Sequence, residues 1–164
     1  MTDTINELES APEKIVGETL VPIRVCFVCT GNTCRSPMAA AVLNELGKGS
    51  YVAMSAGLMP NVGEPISANA VKALRNAGVP CTNDNDYASH KARMIDELMI
   101  ESCDRVIAIS KGHFISLVMC TDPKNAEKIE CMPKDIPDPY MGSEADYERC
   151  LGEITEGIKE LFAL

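Results

Sequence analysis

Arg24-Val25-Cys26-Phe27-Val28-Cys29-Thr30-Gly31-Asn32-Thr33-Cys34-Arg35-Ser36-Pro37 runs from an apolar stretch, through a loop of small residues, into a helix-like segment. Ser36 reads as an N-cap and Pro37 as the first helical residue, so the loop ends at the positive end of a helix. Gly31 is expected to let the chain turn where a side chain would clash, so that several backbone N–H groups aim at one anion. Cys29 supplies a soft nucleophile. Arg35, six positions later, carries a planar fork able to grip two phosphate oxygens. The positive field of such a loop favours the thiolate that a nucleophile needs. These parts together suit the cleavage of phosphate esters through a cysteine.

Outward from this loop, short apolar runs alternate with helix-period segments, which is the sequence form of a parallel sheet covered by helices. Strands are expected over residues 24–29, 51–56, 105–109 and 128–132. Helices are expected over 37–47, from Ser67 to Gly78, and over 144–162. Ala70, Val71, Leu74 and Ala77 fall on one face of the middle helix. The fold class is therefore three-layer α/β/α with a four-stranded parallel sheet and the phosphate loop after the first strand. Open parallel sheets bind ligands at the carboxyl ends of their strands, where the Cys29 loop lies. Asp138 follows the last strand and reaches the same rim if that strand runs parallel in the same sheet.

A chain of 164 residues with a 46% hydrophobic share suits one domain, residues 23–164, preceded by an acidic extension over residues 1–22. The extension is expected to be flexible, frayed or partly helical. A net charge of −9 argues against nucleic acid as a partner, since phosphate backbones need a basic face. No apolar run is long enough to span a bilayer, and the polar, acidic start is unlike a secretory signal, so a cytoplasmic protein without membrane partners is expected.

Of eight cysteines, Cys26, Cys103, Cys120, Cys131 and Cys150 fall within apolar or helical stretches and are expected in the core. The Cys26-x-x-Cys29 spacing has no second pair to complete a zinc site, and strand residues three apart face opposite ways. No metal or cofactor is expected. Cys34, five positions from Cys29, is open to two readings, a reversible disulfide partner for the nucleophile or an inert loop thiol.

The stretch Cys29 to Pro37, with Asp138-Pro139-Tyr140 far downstream, resembles the low-molecular-weight protein tyrosine phosphatases of bacterial type. Ser55-Ala56-Gly57 and Ser89-His90-Lys91-Ala92-Arg93 resemble further landmarks of that family, so the similarity runs from about Arg24 to the C-terminus. An Asp-Pro pair by itself is a turn signal; beside this loop, the resemblance implies that Asp138 is a general acid. It further implies that Cys29 attacks phosphorus and forms a cysteinyl-phosphate, with Arg35 and the amides of Thr30, Gly31, Asn32, Thr33, Cys34 and Ser36 holding the equatorial oxygens. Ser36 would donate to the Cys29 sulfur. Asn32, Ser55 and His90 would support the loop, and Thr33 and Tyr140 would line the substrate cleft beside Met141. The implied substrate is a phosphorylated protein, with inorganic phosphate as product.

Phosphotyrosine is the first expectation for the residue attacked. The form C-T-G-N-T-C-R-S-P with Thr33 also resembles the protein arginine phosphatases of the same superfamily, which makes phosphoarginine the alternative. Arsenate reductase is a third reading on a similar fold. Its thioredoxin-coupled members need two more cysteines after the third strand, where this chain reads Ile109-Ser110-Lys111-Gly112-His113-Phe114.

Overall fold

Strand β3, Ile23–Cys29, occupies the middle of the molecule because its side chains are buried on both faces, Val25 to Cys29 all being core residues. The structure, a computed structural model, describes residues 14–16 and 19–164. Before β3, a short antiparallel hairpin pairs β1, Lys14–Val16, with β2, Thr19–Val21. This part of the N-terminal stretch is thus strand where a frayed or partly helical extension was expected, consistent with its β-branched residues Ile15, Val16, Thr19 and Val21. Lys14 pairs with Asp104, whose other oxygen accepts from the Arg24 amide at 2.8 Å, so the hairpin is fastened to the sheet. Residues 1–13 and 17–18 lie outside the described residues.

The chain then follows the expected alternation. Helix α1 (Arg35–Leu46) leads to β4 (Tyr51–Gly57), α2 (Ala68–Asn76), α3 (Glu97–Ser102), β5 (Arg105–Ala108), α4 (Lys111–Cys120), β6 (Ile129–Cys131) and α5 (Glu144–Phe162). The four central strands are all parallel in the order β4-β3-β5-β6. Helices α3 and α4 are absent from the sequence reading. Both begin at side-chain caps, Asp96 accepting from the Met99 amide at 2.8 Å and Ser110 from the His113 amide at 3.4 Å, signals that short segments hide well.

The period of two along the strands builds two cores. Val25, Phe27, Cys29 and Ile107 face α1, α2 and α5, while Cys26, Val28, Val106 and Ala108 face α3 and α4. Cys26 and Cys29 therefore look to opposite sides, as the strand spacing requires. Ile154 and Ile158 of α5 are fully buried, each worth about 1.5–3 kcal/mol of transfer from water. Cys103 and Cys150 are core residues as expected, and Cys131 is half-buried. Cys120 is exposed, because it ends α4 on the helix's solvent side.

The amino ends of the strands, away from the site, are covered by the last turn of α5. The Phe162 ring packs edge-on to Tyr51 at 5.1 Å, and the Arg105 guanidinium lies 4.3 Å from its centroid. Arg105 is itself held by two bonds to Glu130, of 2.6 and 2.7 Å. Among the described residues no helix is long and apolar enough to cross a membrane.

Candidate active site

The loop between β3 and α1 turns its carbonyls back into the protein. Cys29 O accepts from the Leu58 amide (2.9 Å), Thr30 O from Met59 (3.0 Å), Asn32 O from His90 Nε2 (2.7 Å) and Thr33 O from Ser67 (2.8 Å). In a trans peptide the next N–H points opposite to the carbonyl, so this pattern directs the amides of Thr30, Gly31, Thr33 and Cys34 to the other side, at the start of α1. Gly57 makes the close approach possible, since a Cβ there would sit 2.6 Å from Thr30 O and 3.1 Å from Asn32 Cβ.

Two expectations about this loop are corrected. The residue in left-handed backbone is Asn32, at φ 56°, and not Gly31, where a Cβ would meet nothing nearer than Thr33 Oγ1 at 3.9 Å. Asn tolerates that conformation because its short polar side chain bonds locally. Nor is Ser36 the N-cap. Helix α1 begins two residues earlier, with Cys34 capping and Arg35 first, which leaves Pro37 in the first turn where its missing N–H costs nothing. The Ser36 hydroxyl is thereby free for other work.

That work is visible in the bonding. Asn32 Nδ2 donates to Ser36 Oγ and to Ser55 Oγ, both at 2.9 Å, and Asn32 Oδ1 accepts from the Arg93 amide at 3.0 Å. With Asn32 filling one lone pair of Ser36, the serine proton is directed at Cys29 Sγ, 2.9 Å away, in preference to Ala56 O at 3.4 Å. Arg93 also donates from Nε to Ser55 O at 2.9 Å. Asn32, Ser36, Ser55 and His90, named from the sequence as a supporting group, do form one network around the loop.

Arg35 reaches from α1 to the segment after β6. Its Nη1 donates to Ile136 O at 3.1 Å and its Nη2 to Asp138 Oδ2 at 3.0 Å. Asp138 thus stands on the same rim as Cys29, as the parallel direction of β6 requires. Arg35 Nε is buried and donates to no described group. Tyr140 is 64% exposed, and it lines one cleft of about 280 Å³ together with the residues 29–35, Met59, Asn61, Glu64 and Asp138.

Cys34 turns away toward α5. Its Sγ lies 3.3 Å from Tyr147 Oη, which also accepts from Ser67 Oγ at 3.1 Å, and burial pushes the Cys34 thiol up. The Tyr147 phenol is pushed up to about 12 by burial and by the Cys34 contact. Cys29 and Cys34 are both free thiols.

One brace escaped the sequence reading. His113, at the start of α4, places Nε2 2.9 Å from Thr30 Oγ1 and Nδ1 2.8 Å from Ser110 Oγ. The ring therefore bridges Ser110 at the cap of α4 to the Thr30 hydroxyl of the loop. The only hint in the sequence was the Ser-x-x-His spacing of a helix cap. The chain has two histidines, and both hold this loop. The segment required for an arsenate-type relay is this helix, with a single cysteine, Cys120, at its end.

The family model described as low molecular weight phosphotyrosine protein phosphatase matches residues 24–164. The chain belongs to this family. A low molecular weight protein-tyrosine-phosphatase of Streptomyces coelicolor is 32% identical over 78% of this chain and 84% of its own length. A protein-arginine-phosphatase of Geobacillus stearothermophilus is 30% identical over 86% and 95%. Among solved structures, the low molecular weight protein tyrosine phosphatase from T. tengcongensis superposes with a TM-score of 0.77 at 33% identity, covering 86% of this chain and 98% of that one. The YwlE arginine phosphatase from G. stearothermophilus gives 0.76 at 30% identity, over 87% and 92%. Membership makes the protein a hydrolase of the low-molecular-weight phosphatase class.

Proposed function

We propose that the protein hydrolyses phosphotyrosine in phosphorylated proteins through a cysteinyl-phosphate. The observation that carries this reading is Arg35. Its Nε is a buried donor without a partner among the described residues, at the wall of a cleft that also holds Cys29 and the loop after it. A buried unpaired donor costs about 1–3 kcal/mol, a cost that a phosphoryl oxygen would remove.

In the first step the Cys29 thiolate forms a bond to phosphorus as the bond to the leaving oxygen breaks, and Asp138 gives that oxygen a proton. Arg35 and the loop amides hold the equatorial oxygens throughout. In the second step Asp138, now a carboxylate, takes a proton from water as the water attacks phosphorus. Cys29 leaves as thiolate, steadied by the Ser36 hydroxyl, and inorganic phosphate is released. Tyr140 and Met59 supply an apolar rim for an aromatic ring. Eight free thiols fit a reducing compartment, which supports a cytoplasmic setting.

Phosphoarginine is the second reading, favoured by Thr33, which lines the cleft with its hydroxyl 3.6 Å from Cys34 Sγ, and by Glu64 on the same wall, a carboxylate suited to a guanidinium. Paired phosphotyrosine and phosphoarginine peptides of one sequence, with Cys29→Ser protein as blank, decide between them. A higher kcat/KM for phosphotyrosine supports the first reading. A preference for phosphoarginine that Thr33→Ile reverses would replace it with the second.

A further inference from the structure

Four sulfur atoms meet on the face of the sheet away from α1. Cys26 of β3 and Met54 of β4 are register neighbours, Cys103 immediately precedes Asp104 and β5, and Met99 lies on α3. Cys26 Sγ is 3.9 Å from Met99 Sδ and Cys103 Sγ is 4.0 Å from Met54 Sδ. The sulfurs thus form two thiol–thioether pairs, set side by side by the register of Cys26 with Met54. Both thiols are free and buried, and both methionines are half-buried, which opens a path from the surface. None of the four takes part in the phosphatase site.

We propose that Cys26, Cys103, Met54 and Met99 bind one copper(I) ion. A tetrahedral ion with bonds of about 2.3 Å to sulfur sets its ligands about 3.8 Å apart, which is close to the two thiol–thioether separations found here. Among the described residues no three His, Cys, Asp or Glu side chains gather at a metal-sized point, so a zinc-type donor set is lacking. Two thiols with two thioethers are instead the soft donors that select copper(I). Each thiol that ligates releases its proton to water. An ion held here joins β3, β4, α3 and the turn into β5, so it stabilises the folded chain by mass action.

The test is an anaerobic titration of the full chain carrying Cys29→Ser, which removes the nucleophile as a rival ligand, with copper(I) held by a colorimetric chelator. The expected result is one ion per chain, an all-sulfur first shell by X-ray absorption, and a raised Tm. Cys103→Ala should weaken binding by at least about 100-fold, beyond the usual cost of losing an outer-shell partner. The double change Met54→Leu and Met99→Leu keeps the packing volume and should weaken binding about tenfold. Both changes, made in protein with Cys29 intact, should leave phosphatase turnover unaltered. Binding well below one ion per chain, a shell containing nitrogen or oxygen, or affinity unchanged by the methionine pair would overturn the proposal. The methionine pair decides alone if Cys103→Ala fails to fold.

Discussion

The loop that carries Cys29 and the loop that carries Asp138 meet at Arg35 and are built in opposite ways. In the first, Asn32 and Ser36 are fully buried, the carbonyls of Cys29, Thr30, Asn32 and Thr33 have donors, and two histidines hold the loop from behind, His90 at the Asn32 carbonyl and His113 at the Thr30 hydroxyl. In the second, the Asp138 side chain is 50% exposed, Met141 is 88% exposed, and local bonds dominate, Tyr140 N to Asp138 Oδ1 at 3.1 Å and Gly142 N to Pro139 O at 2.7 Å. The contrast fits what the proposed reaction asks of each loop. Charge on the transferring phosphoryl group needs donors fixed before reaction, because reorganising them would cost part of the gain. A proton donor must instead face leaving groups that differ in shape, and an exposed loop with one tether to Arg35 allows that.

The sharpest break of this comparison is Cys29→Ser, for which turnover should fall by on the order of 10⁶, the usual consequence of losing a nucleophile, while phosphate binding and Tm persist. Appreciable residual turnover would take the nucleophilic role from Cys29. Next comes Asp138→Asn, with an expected loss of about 10² to 10⁴ for alkyl or phenyl leaving groups and much less for nitrophenyl esters. A loss equal for both would make Asp138 a positioning group through Arg35.

Asn32→Ala tests the rigid loop directly. It strands the Arg93 amide and places alanine at φ 56°, so kcat should drop about 10- to 100-fold through misplacement, and stability by about 1–3 kcal/mol. Tyr140→Ala on the exposed loop is the counterpart: KM rises while urea midpoint and kcat hold. If both variants lost stability alike, the contrast between the loops would fail.

The smallest effect is on pH dependence. Burial pushes both His90 and His113 below the ordinary histidine value of 6.5, and Arg35 adds to this at His113. As pH falls through that value the unfolded chain takes up protons that the native histidines resist, so stability is lost toward acid and recovered above it. Urea midpoints at about pH 7.5 and about pH 5.5 should show this slope, and His90→Gln with His113→Gln should flatten it. An unchanged slope would mean that the acid loss arises elsewhere.

Much of this site was legible because its parts are close in sequence. The residues 29–36 share one turn, and a thiol, an arginine and a hydroxyl at that spacing admit few other uses. Gly31 was misread because a glycine in a loop suggests a steric need, whereas the need lies at Gly57, 26 positions from it, against Thr30 O. Ser36 was misread as a cap because Ser-Pro usually opens a helix, and no local signal tells a capping hydroxyl from one turned to a sulfur.

What the chain's own order of residues determined is the α/β alternation and the candidate nucleophile and arginine, since periodicity and short-range spacing encode them, while the acid role proposed for Asp138 came only from the resemblance of Asp138-Pro139-Tyr140 to a family motif. Only the tertiary structure decided that His113 and Arg93 join Asn32, Ser55 and His90 in bracing the loop, and which sulfurs meet. His90 and Arg93, His113, and Ser55 come to the loop from three separate segments, and Cys26 contacts Met99 and not Cys29. The physical reason is that a parallel sheet brings together strand ends whose connections are long, so contacts across it depend on register and crossover and on no local pattern.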